Sequence, residues 1–231
     1  MRKDIIDQQL LMVVVFCLFA LFLYIKTCDD PLITFLSGSF IEGLFLKFET
    51  GNSLIKDLSI GILVSTIFWT FNSYLPSKKL IDEKISRLNR ALYLILESFK
   101  GNPHHHDKHY IHCKELNNND LEQIENIKKL LDSGKIYGSM GEKCFFEICS
   151  ESYELFKFLS IAANEVSPKH GALWDSLTRN ITVIGRLHPY WFESRVNDGV
   201  KVGVDYSKGS LGLNLTEILE SMEKWMELNN K

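Results

Sequence analysis

The chain has 231 residues, of which 45% are hydrophobic and 24% are charged, and its formal net charge is -3. This length leaves room for a small membrane unit and one soluble domain, but it excludes two large soluble domains. The nearly neutral charge balance excludes the overall basic footprint of many nucleic-acid-binding domains. The apolar residues are concentrated near the N-terminus, which indicates that this part of the chain is inserted in a membrane.

The first apolar segment carries no charge from Leu10 to Ile25, and Gln8, Gln9 and Thr27, with Lys26 near the end, extend it to about residues 8–27. A helix of about 20 such residues is long enough to cross a bilayer. Asp4 and Asp7 interrupt the basic N-terminal region, and no small-x-small cleavage site follows the segment. We therefore predict a retained transmembrane span rather than a cleaved signal peptide.

The second uncharged segment predicts a span at about residues 57–75. Trp69 lies near its C-terminal end, where amphipathic rings favour the headgroup layer, and Asn72 is tolerated if it faces a partner helix or the interface. Gly61 and Ser65 form a small-xxx-small pair that allows close helix packing, either within one monomer or between protomers. These four residues are the candidate membrane or pore residues of the span.

Positive charges predict the orientation of the two spans. Arg2 and Lys3 precede the first span and Lys78 and Lys79 follow the second, whereas lysines are dispersed in the connecting loop. Cytoplasmic flanks of transmembrane helices carry an excess of lysine and arginine. Residues 1–76 are therefore predicted to form a two-transmembrane helical hairpin with both chain termini in the cytoplasm.

The loop between the spans is unusually apolar from Pro31 to Phe48. It is either interfacial or a third span, and the third span would move the basic run after Pro76 to the outer face, against the positive-inside rule. We prefer the interfacial interpretation. Glu42 in this loop is a candidate pore-lining or gating carboxylate if the protein oligomerises, and otherwise a simple interfacial residue.

Residues 77–231 are predicted to form a mainly α-helical cytoplasmic domain. Ser77 is a candidate N-cap for a helix that ends near Gly101, and its apolar residues follow a heptad-like spacing that suits either a coiled coil or the domain's own core. Those apolar residues are Ile81, Ile85, Leu88, Leu92, Ile95 and Phe99.

Three further helices are predicted by their apolar periodicity and by the residues that bound them. They run from Asp120 to Gly134, from about Cys144 to Val166, and from about Ala172 to Leu187, where Pro189 ends the last one. A final amphipathic helix begins at Thr216, and the alternation from Val196 to Tyr206 suits a small β-hairpin. The aromatic side chains are predicted to fill the core; they are Phe145, Phe146, Phe156, Phe158, Trp174 and Trp191.

The sequence shows no phosphate-binding loop, nucleotide-binding glycine fingerprint, serine-hydrolase elbow or HExxH run. We predict that the chain is not an enzyme and needs no cofactor. A histidine-rich segment supplies metal-ligand candidates, because His105 and His109 share a face if it is helical, but its spacing matches no closed zinc motif. A solvated loop is the preferred interpretation of that segment, whose candidates are His105, His109, His112 and Cys113.

The order of these segments resembles a known family. A short N-terminal span, a loop, a second span that reads DLSIGILVSTIFWTFNSYLPSKK from Asp57 to Lys79, and a helical tail are similar to the two-transmembrane effectors encoded beside retron reverse transcriptases. The resemblance covers roughly the first hundred residues. It implies a toxin effector of the bacterial inner membrane in abortive infection, an antiviral defence in which the host cell dies or stops growing.

The resemblance also implies how such an effector is controlled. In such effectors a complex of the reverse transcriptase with its RNA-linked DNA (msDNA) holds the membrane protein inactive, and released copies permeabilise the membrane. By this resemblance, residues 77–231 are expected to be the sensor and partner-binding domain. Two spans cannot enclose an aqueous path alone, so the active form is expected to be a homo-oligomer. The alternatives are a non-toxic membrane anchor or sensor that recruits a partner enzyme, and a membrane-bound metal-dependent enzyme that uses the histidine cluster.

Overall fold

The computed structural model describes residues 3–27, 51–100, 114–136, 140–197 and 210–229, and it describes side chains within residues 6–27, 51–100, 114–136, 141–186 and 212–229. The described residues are mainly helical and contain no strand, which confirms the mainly α fold class. The contacts divide the chain into an N-terminal unit, Met1–Ile81, and a C-terminal unit, Asp82–Lys231.

The N-terminal unit is built on two packed helices, α1 (Lys3–Thr27) and α2 (Asn52–Trp69). Both belong to helical segments that are long and apolar enough to cross a membrane. The first such segment is Ile6–Thr27, and the second is a helical stretch of 47 residues that begins at Asn52. This finding agrees with the two predicted spans.

The second helical stretch continues well beyond the predicted span. After α2 the chain makes one π-helical turn, Thr70–Tyr74, and continues into α3 (Leu75–Ser98). The Leu75 N–H donates to the Thr70 carbonyl, five residues back, and Pro76 follows with no N–H of its own. The prediction that a helix begins at Ser77 was therefore wrong, because the wider turn carries the helical backbone past Pro76.

The C-terminal unit begins within α3 and adds four helices. Their bounds, after a short 3-10 turn at Asn118–Asp120, are α4 (Leu121–Asp132), α5 (Met140–Val166), α6 (Pro168–Asn197) and α7 (Ser210–Asn229). Helices α5 and α6 pack antiparallel, and α7 packs on α6 and α4. Ser167 alone separates α5 from α6. The two helices approach closely at Gly185, where a Cβ would lie 2.7 Å from the Cys149 carbonyl oxygen.

Side-chain caps explain where the 3-10 turn that leads into α4 and helix α6 start. The Asn117 side chain accepts a hydrogen bond from the Asn119 N–H, and the Asp120 carboxylate accepts one from the Asn117 N–H, forming a capping box. The Ser167 hydroxyl accepts from the His170 N–H at the start of α6, where Pro168 occupies the first helical position. These polar signals are local and were readable in the sequence.

Several predicted boundaries differ from the structure. The α6 backbone continues through Pro189, although the missing N–H removes one helical hydrogen bond. Thr216 lies inside α7, where its hydroxyl donates to the Gly212 carbonyl rather than capping the helix. Val196 and Asn197 belong to α6, and the remainder of the predicted β-hairpin lies outside the described residues.

The core of the C-terminal unit contains the inner face of α3. Leu88, Leu92 and Ile95 are fully buried, so the heptad-like seam packs into its own unit rather than forming a separate coiled coil. Phe99 stacks on Phe145 with ring centroids 4.2 Å apart. Most of the described aromatic residues predicted for the core are buried there, and Phe158 is the exception, because 74% of it is exposed.

Candidate functional site

Small residues mediate the contact between α1 and α2. Ala20 on α1 and Ser59 on α2 have no exposed surface. Small side chains let two helix backbones approach closely, which is how helices pack where the surrounding lipid removes the hydrophobic driving force. The Ser59 hydroxyl donates to the Ile55 carbonyl at 2.7 Å, so its polar group is satisfied within the helix.

Three further polar side chains of this unit also bond to the backbone of their own helix. The Thr27 hydroxyl donates to the Leu23 carbonyl at 3.0 Å, and the Thr70 hydroxyl donates to the Thr66 carbonyl at 2.8 Å. The Asn72 amide donates to the Phe68 carbonyl at 2.9 Å. In hydrocarbon no water can satisfy these groups, so internal bonding of this kind suits a membrane-spanning helix.

The outer faces of α1 and α2 are apolar and uncovered. Large side chains are exposed along both helices, including Leu11, Phe16 and Leu18 on α1 and Val64, Ile67 and Phe68 on α2. A soluble protein rarely leaves so much apolar surface in contact with water. These apolar faces are suited to contact with the acyl chains of a bilayer.

A groove of about 550 Å³ lies between the two helices, and it contains three of the four candidate residues of the second span. Gly61, Ser65 and Trp69 line it from α2, and Val13 and Phe16 line it from α1. Gly61 and Ser65 are exposed, so packing within the unit does not cover this small-xxx-small pair.

Asn72, the fourth candidate, is also exposed but does not line this groove. It lies in the π-helical turn Thr70–Tyr74. The ring of Trp69, just before the turn, contacts the ring of Tyr74 at its end, with centroids 5.7 Å apart. Exposed Lys78 and Lys79 follow within one turn of Tyr74. Aromatic rings beside basic residues are typical of the headgroup layer, so this turn is the place where α2 would leave the membrane.

The π-helical turn was not predicted from the sequence. A signal for it existed, because Pro76 cannot donate to the carbonyl of Asn72 and its ring would collide with that carbonyl in a regular α-helix. Inserting one residue into the turn relieves that conflict.

The remaining predicted site residues lie outside the described residues: Glu42 in the apolar loop, and the metal candidates His105, His109, His112 and Cys113. Within the ranges that the structure describes, no three His, Cys, Asp or Glu side chains come together as a metal site would require.

A buried polar network joins the ends of three helices in the C-terminal unit. The Ser167 hydroxyl lies 2.7 Å from His170 Nδ1, and His170 Nε2 lies 3.1 Å from Asn229 Oδ1. The order of groups is that of a nucleophile relay. Ser167 and His170 are each only 3% exposed, so no substrate can reach the hydroxyl, and the network serves to fix the start of α6 against the end of α7.

The cysteines of α5 are also unsuited to nucleophilic chemistry. Complete burial raises the pKa of the Cys149 thiol well above its usual range. Burial, together with the nearby Glu147 carboxylate, also raises the pKa of Cys144. Both cysteines are free thiols, and the neutral thiol is a poor nucleophile.

The outer face of α5 carries an apolar patch that sequence reasoning missed. Leu155, Phe158 and Ile161 are 41%, 74% and 67% exposed and recur every three residues along the helix. Residues three apart on a helix are neighbours on its surface. The signal in the sequence was their spacing, which places them away from the buried positions Phe156, Leu159 and Ala163.

Comparison of the chain with protein-family models, with curated proteins and with solved structures finds no match.

Proposed function

We propose that this protein is a membrane effector of a bacterial anti-phage system that acts by abortive infection. Its two spans insert in the inner membrane, with both chain termini in the cytoplasm, and a complex of reverse transcriptase and msDNA restrains it. When that complex releases it, several copies associate and permeabilise the membrane. The C-terminal unit is the part that binds the restraining complex.

The observation that carries the proposal is the uncovered groove between α1 and α2. Gly61 and Ser65 line it at a depth where lipid would surround the helices, and small residues there favour close helix association. A two-helix unit cannot enclose water, whereas a ring of such units can. Association of protomers through this groove would bring Ser65 and Thr66 toward a shared path.

Deletion of either span tests the toxic role. We expect the intact chain, expressed alone in a bacterium, to stop growth and to admit a dye that enters only permeabilised cells. Deleting Leu10–Ile25 or Leu58–Leu75 removes a membrane-crossing helix, so growth should recover to that of cells with an empty vector. Growth curves, dye uptake and immunoblots for expression measure these outcomes.

Toxicity that persists after both deletions would refute the pore mechanism. Healthy cells with confirmed membrane expression of the intact chain would refute spontaneous toxicity in the absence of the partner.

A second candidate function is a non-toxic membrane anchor that recruits a partner enzyme through the C-terminal unit. It is favoured by one observation: the charged residues of the two spans lie near their ends, with Lys26 in the first and Asp57 in the second, and none lies from Leu10 to Ile25 or from Leu58 to Leu75. Ionisable groups deep inside a membrane usually mark ion paths, and the middle of each span lacks them, although Asp57 lines one end of the groove. Replacing both spans with unrelated apolar helices preserves the activity of an anchor and abolishes that of a pore.

A further inference from the structure

The residues of the patch on α5, Leu155, Phe158 and Ile161, are exposed and are not part of the core. Phe156 and Leu159, on the inner face of the same helix, are buried against the neighbouring helices. Phe158 projects from the opposite side and leaves three quarters of its surface in contact with solvent. Leu155 and Ile161 extend the patch by almost one turn on either side. A contiguous apolar surface of this kind marks an interaction site in a water-soluble unit.

Acidic residues border the patch at both ends. Glu151 precedes Leu155 by one turn, and Glu165 follows Ile161 by one turn. Glu165 pairs with Lys84 at 2.7 Å, and Lys84 holds the pKa of that carboxyl below its usual range. Glu151 has no ion-pair partner among the described residues. The charge left for a ligand at this surface is therefore negative.

A third glutamate is only locally neutralised. Glu154 pairs with Lys157 at 2.9 Å, and the Lys157 ammonium lies over the Tyr153 ring, 4.8 Å from its centroid. Exposed pairs within one helix contribute little energy and exchange readily for other partners. A cation delivered by a ligand can therefore replace Lys157 beside Glu154.

These charges decide between the possible occupants. An anionic lipid surface would be repelled by Glu151 and Glu154 at the edge of the patch. Two copies packed antiparallel about Phe158 would place Glu151 of one opposite the Glu165–Lys84 pair of the other, so self-association supplies Glu151 with no cation of its own. A cationic ligand with an apolar face satisfies both the patch and its border.

We propose that the outer face of α5 binds an amphipathic helical segment of a partner protein whose apolar side is flanked by lysine or arginine residues. The apolar side covers Phe158 and its two neighbours, and the flanking cations meet the glutamates. This is recognition of an amphipathic helix by an apolar surface, with charge pairs that fix its register. The proposal does not require that the protein damages membranes.

The test uses the full chain in nanodiscs of phosphatidylcholine and two fluorescent synthetic helical peptides. Both peptides carry the same leucine face, which is flanked by lysines in one and by glutamates in the other. Fluorescence anisotropy titrations, corrected with empty nanodiscs, give each Kd. We expect the lysine-flanked peptide to bind at least about tenfold more tightly than the glutamate-flanked peptide.

Two variants locate the binding surface. Phe158→Ser removes the centre of the patch and should weaken binding of the lysine-flanked peptide about tenfold or more, as loss of an aromatic anchor does. Leu213→Ser is the matched control, because Leu213 is 65% exposed on α7 but belongs to another helix. It should leave the Kd unchanged. Circular dichroism melting curves verify that both variants remain folded.

The double variant Glu151→Lys with Glu154→Lys tests the charge argument and should reverse the preference between the two peptides. Equal affinity for both peptides in the intact chain, no measurable binding of either, or an unchanged Kd in Phe158→Ser would overturn the proposal. A different occupant would also be revealed by two further measurements. If neither peptide binds, and the intact chain instead binds phosphatidylglycerol vesicles or self-associates, loss of that binding in Phe158→Ser would show that lipid or a second copy covers the patch.

Discussion

At the scale of single residues, two glycines permit the closest approaches to the backbone of a neighbouring segment in the C-terminal unit. A Cβ on Gly141 would collide with the Phe99 carbonyl, and a Cβ on Gly185 would lie 2.7 Å from the Cys149 carbonyl oxygen. In both cases the neighbour is backbone, which cannot rotate away as a side chain can. Packing of α5 on α6, and of the α5 start on the end of α3, depends on the absence of these side chains.

Gly185→Ala should destabilise the protein. The added methyl group forces α5 and α6 apart, and overpacking of this kind costs about 1–3 kcal/mol, which exceeds the gain in helix propensity of about 1 kcal/mol. Thermal melting of the full chain in detergent, followed by circular dichroism, measures the loss. Asp175→Ala is the control on the exposed side of α6, and a lower Tm for that variant than for Gly185→Ala would contradict the packing argument.

Buried cysteines lead to a second prediction at this scale. Because burial raises the pKa of Cys149, its reactive thiolate is absent from the native protein below that pKa, and it becomes available when unfolding returns the thiol to water. We expect N-ethylmaleimide at pH 8 to modify Cys149 only in denaturant. Peptide mapping by mass spectrometry measures the modification, and rapid labelling of Cys149 under native conditions would show that α5 is not packed as described.

At the scale of elements, α7 is joined to the rest of its unit by both apolar and polar contacts. Trp225 is fully buried beside Trp174, with ring centroids 5.4 Å apart, and its indole N–H donates to Asn89 Oδ1 on α3 at 2.7 Å. Lys128 on α4 and Glu223 on α7 form an ion pair. These contacts place α7 against three other helices.

Trp225→Phe should lower stability by about 1–3 kcal/mol, because it leaves a space beside Trp174 and deprives Asn89 of its donor. Equilibrium unfolding in urea, followed by circular dichroism, gives the change in free energy. Met226→Leu on the same helix conserves volume and should cost less. If the two variants were equally stable, the indole hydrogen bond would have no role in docking α7.

The sequence predicted elements with strong local signals. Ser167 and Pro168, between two apolar segments, located the end of α5, and Asp120 located the start of α4. Two boundaries were mistaken: α6 continues past Pro189, and α7 begins before Thr216. Phe158 was assigned to the core because it is aromatic. Its position around the helix axis, away from the buried Phe156 and Leu159, places it on the exposed face of α5.

At the scale of the whole molecule, sequence reasoning predicted two membrane-competent helices and a mainly helical remainder. These features follow from composition and periodicity, which a single sequence contains. The groove between α1 and α2 could not be predicted in the same way, because it arises from which helix faces meet, and the apolar pattern does not specify the partner of each face. The π-helical turn and the patch on α5 were missed for another reason: their signals, Pro76 and the spacing of Leu155, Phe158 and Ile161, were present but are weaker than the apolar periodicity.

Orientation and the number of spans can be tested together. With two spans and a cytoplasmic N-terminus, the C-terminus is also cytoplasmic, so a C-terminal green fluorescent protein should fluoresce and a C-terminal alkaline phosphatase should be inactive. A third span between α1 and α2 would reverse both readouts. Fusions after residue 50 serve as the control, because that position should lie on the opposite side from the C-terminus in the two-span arrangement.

The single-residue connection between α5 and α6 also bears on the order of folding. Asn164 and Gly171 meet across only seven residues of chain, so this helical pair closes a short loop at small entropic cost. The bond between Trp225 and Asn89, in contrast, joins residues 136 apart. Contacts of short sequence separation form quickly. We therefore expect the α5–α6 pair to form first during folding and α7 to dock late. The backbone amides of α7 should then exchange with deuterium before the amides of α5 and α6.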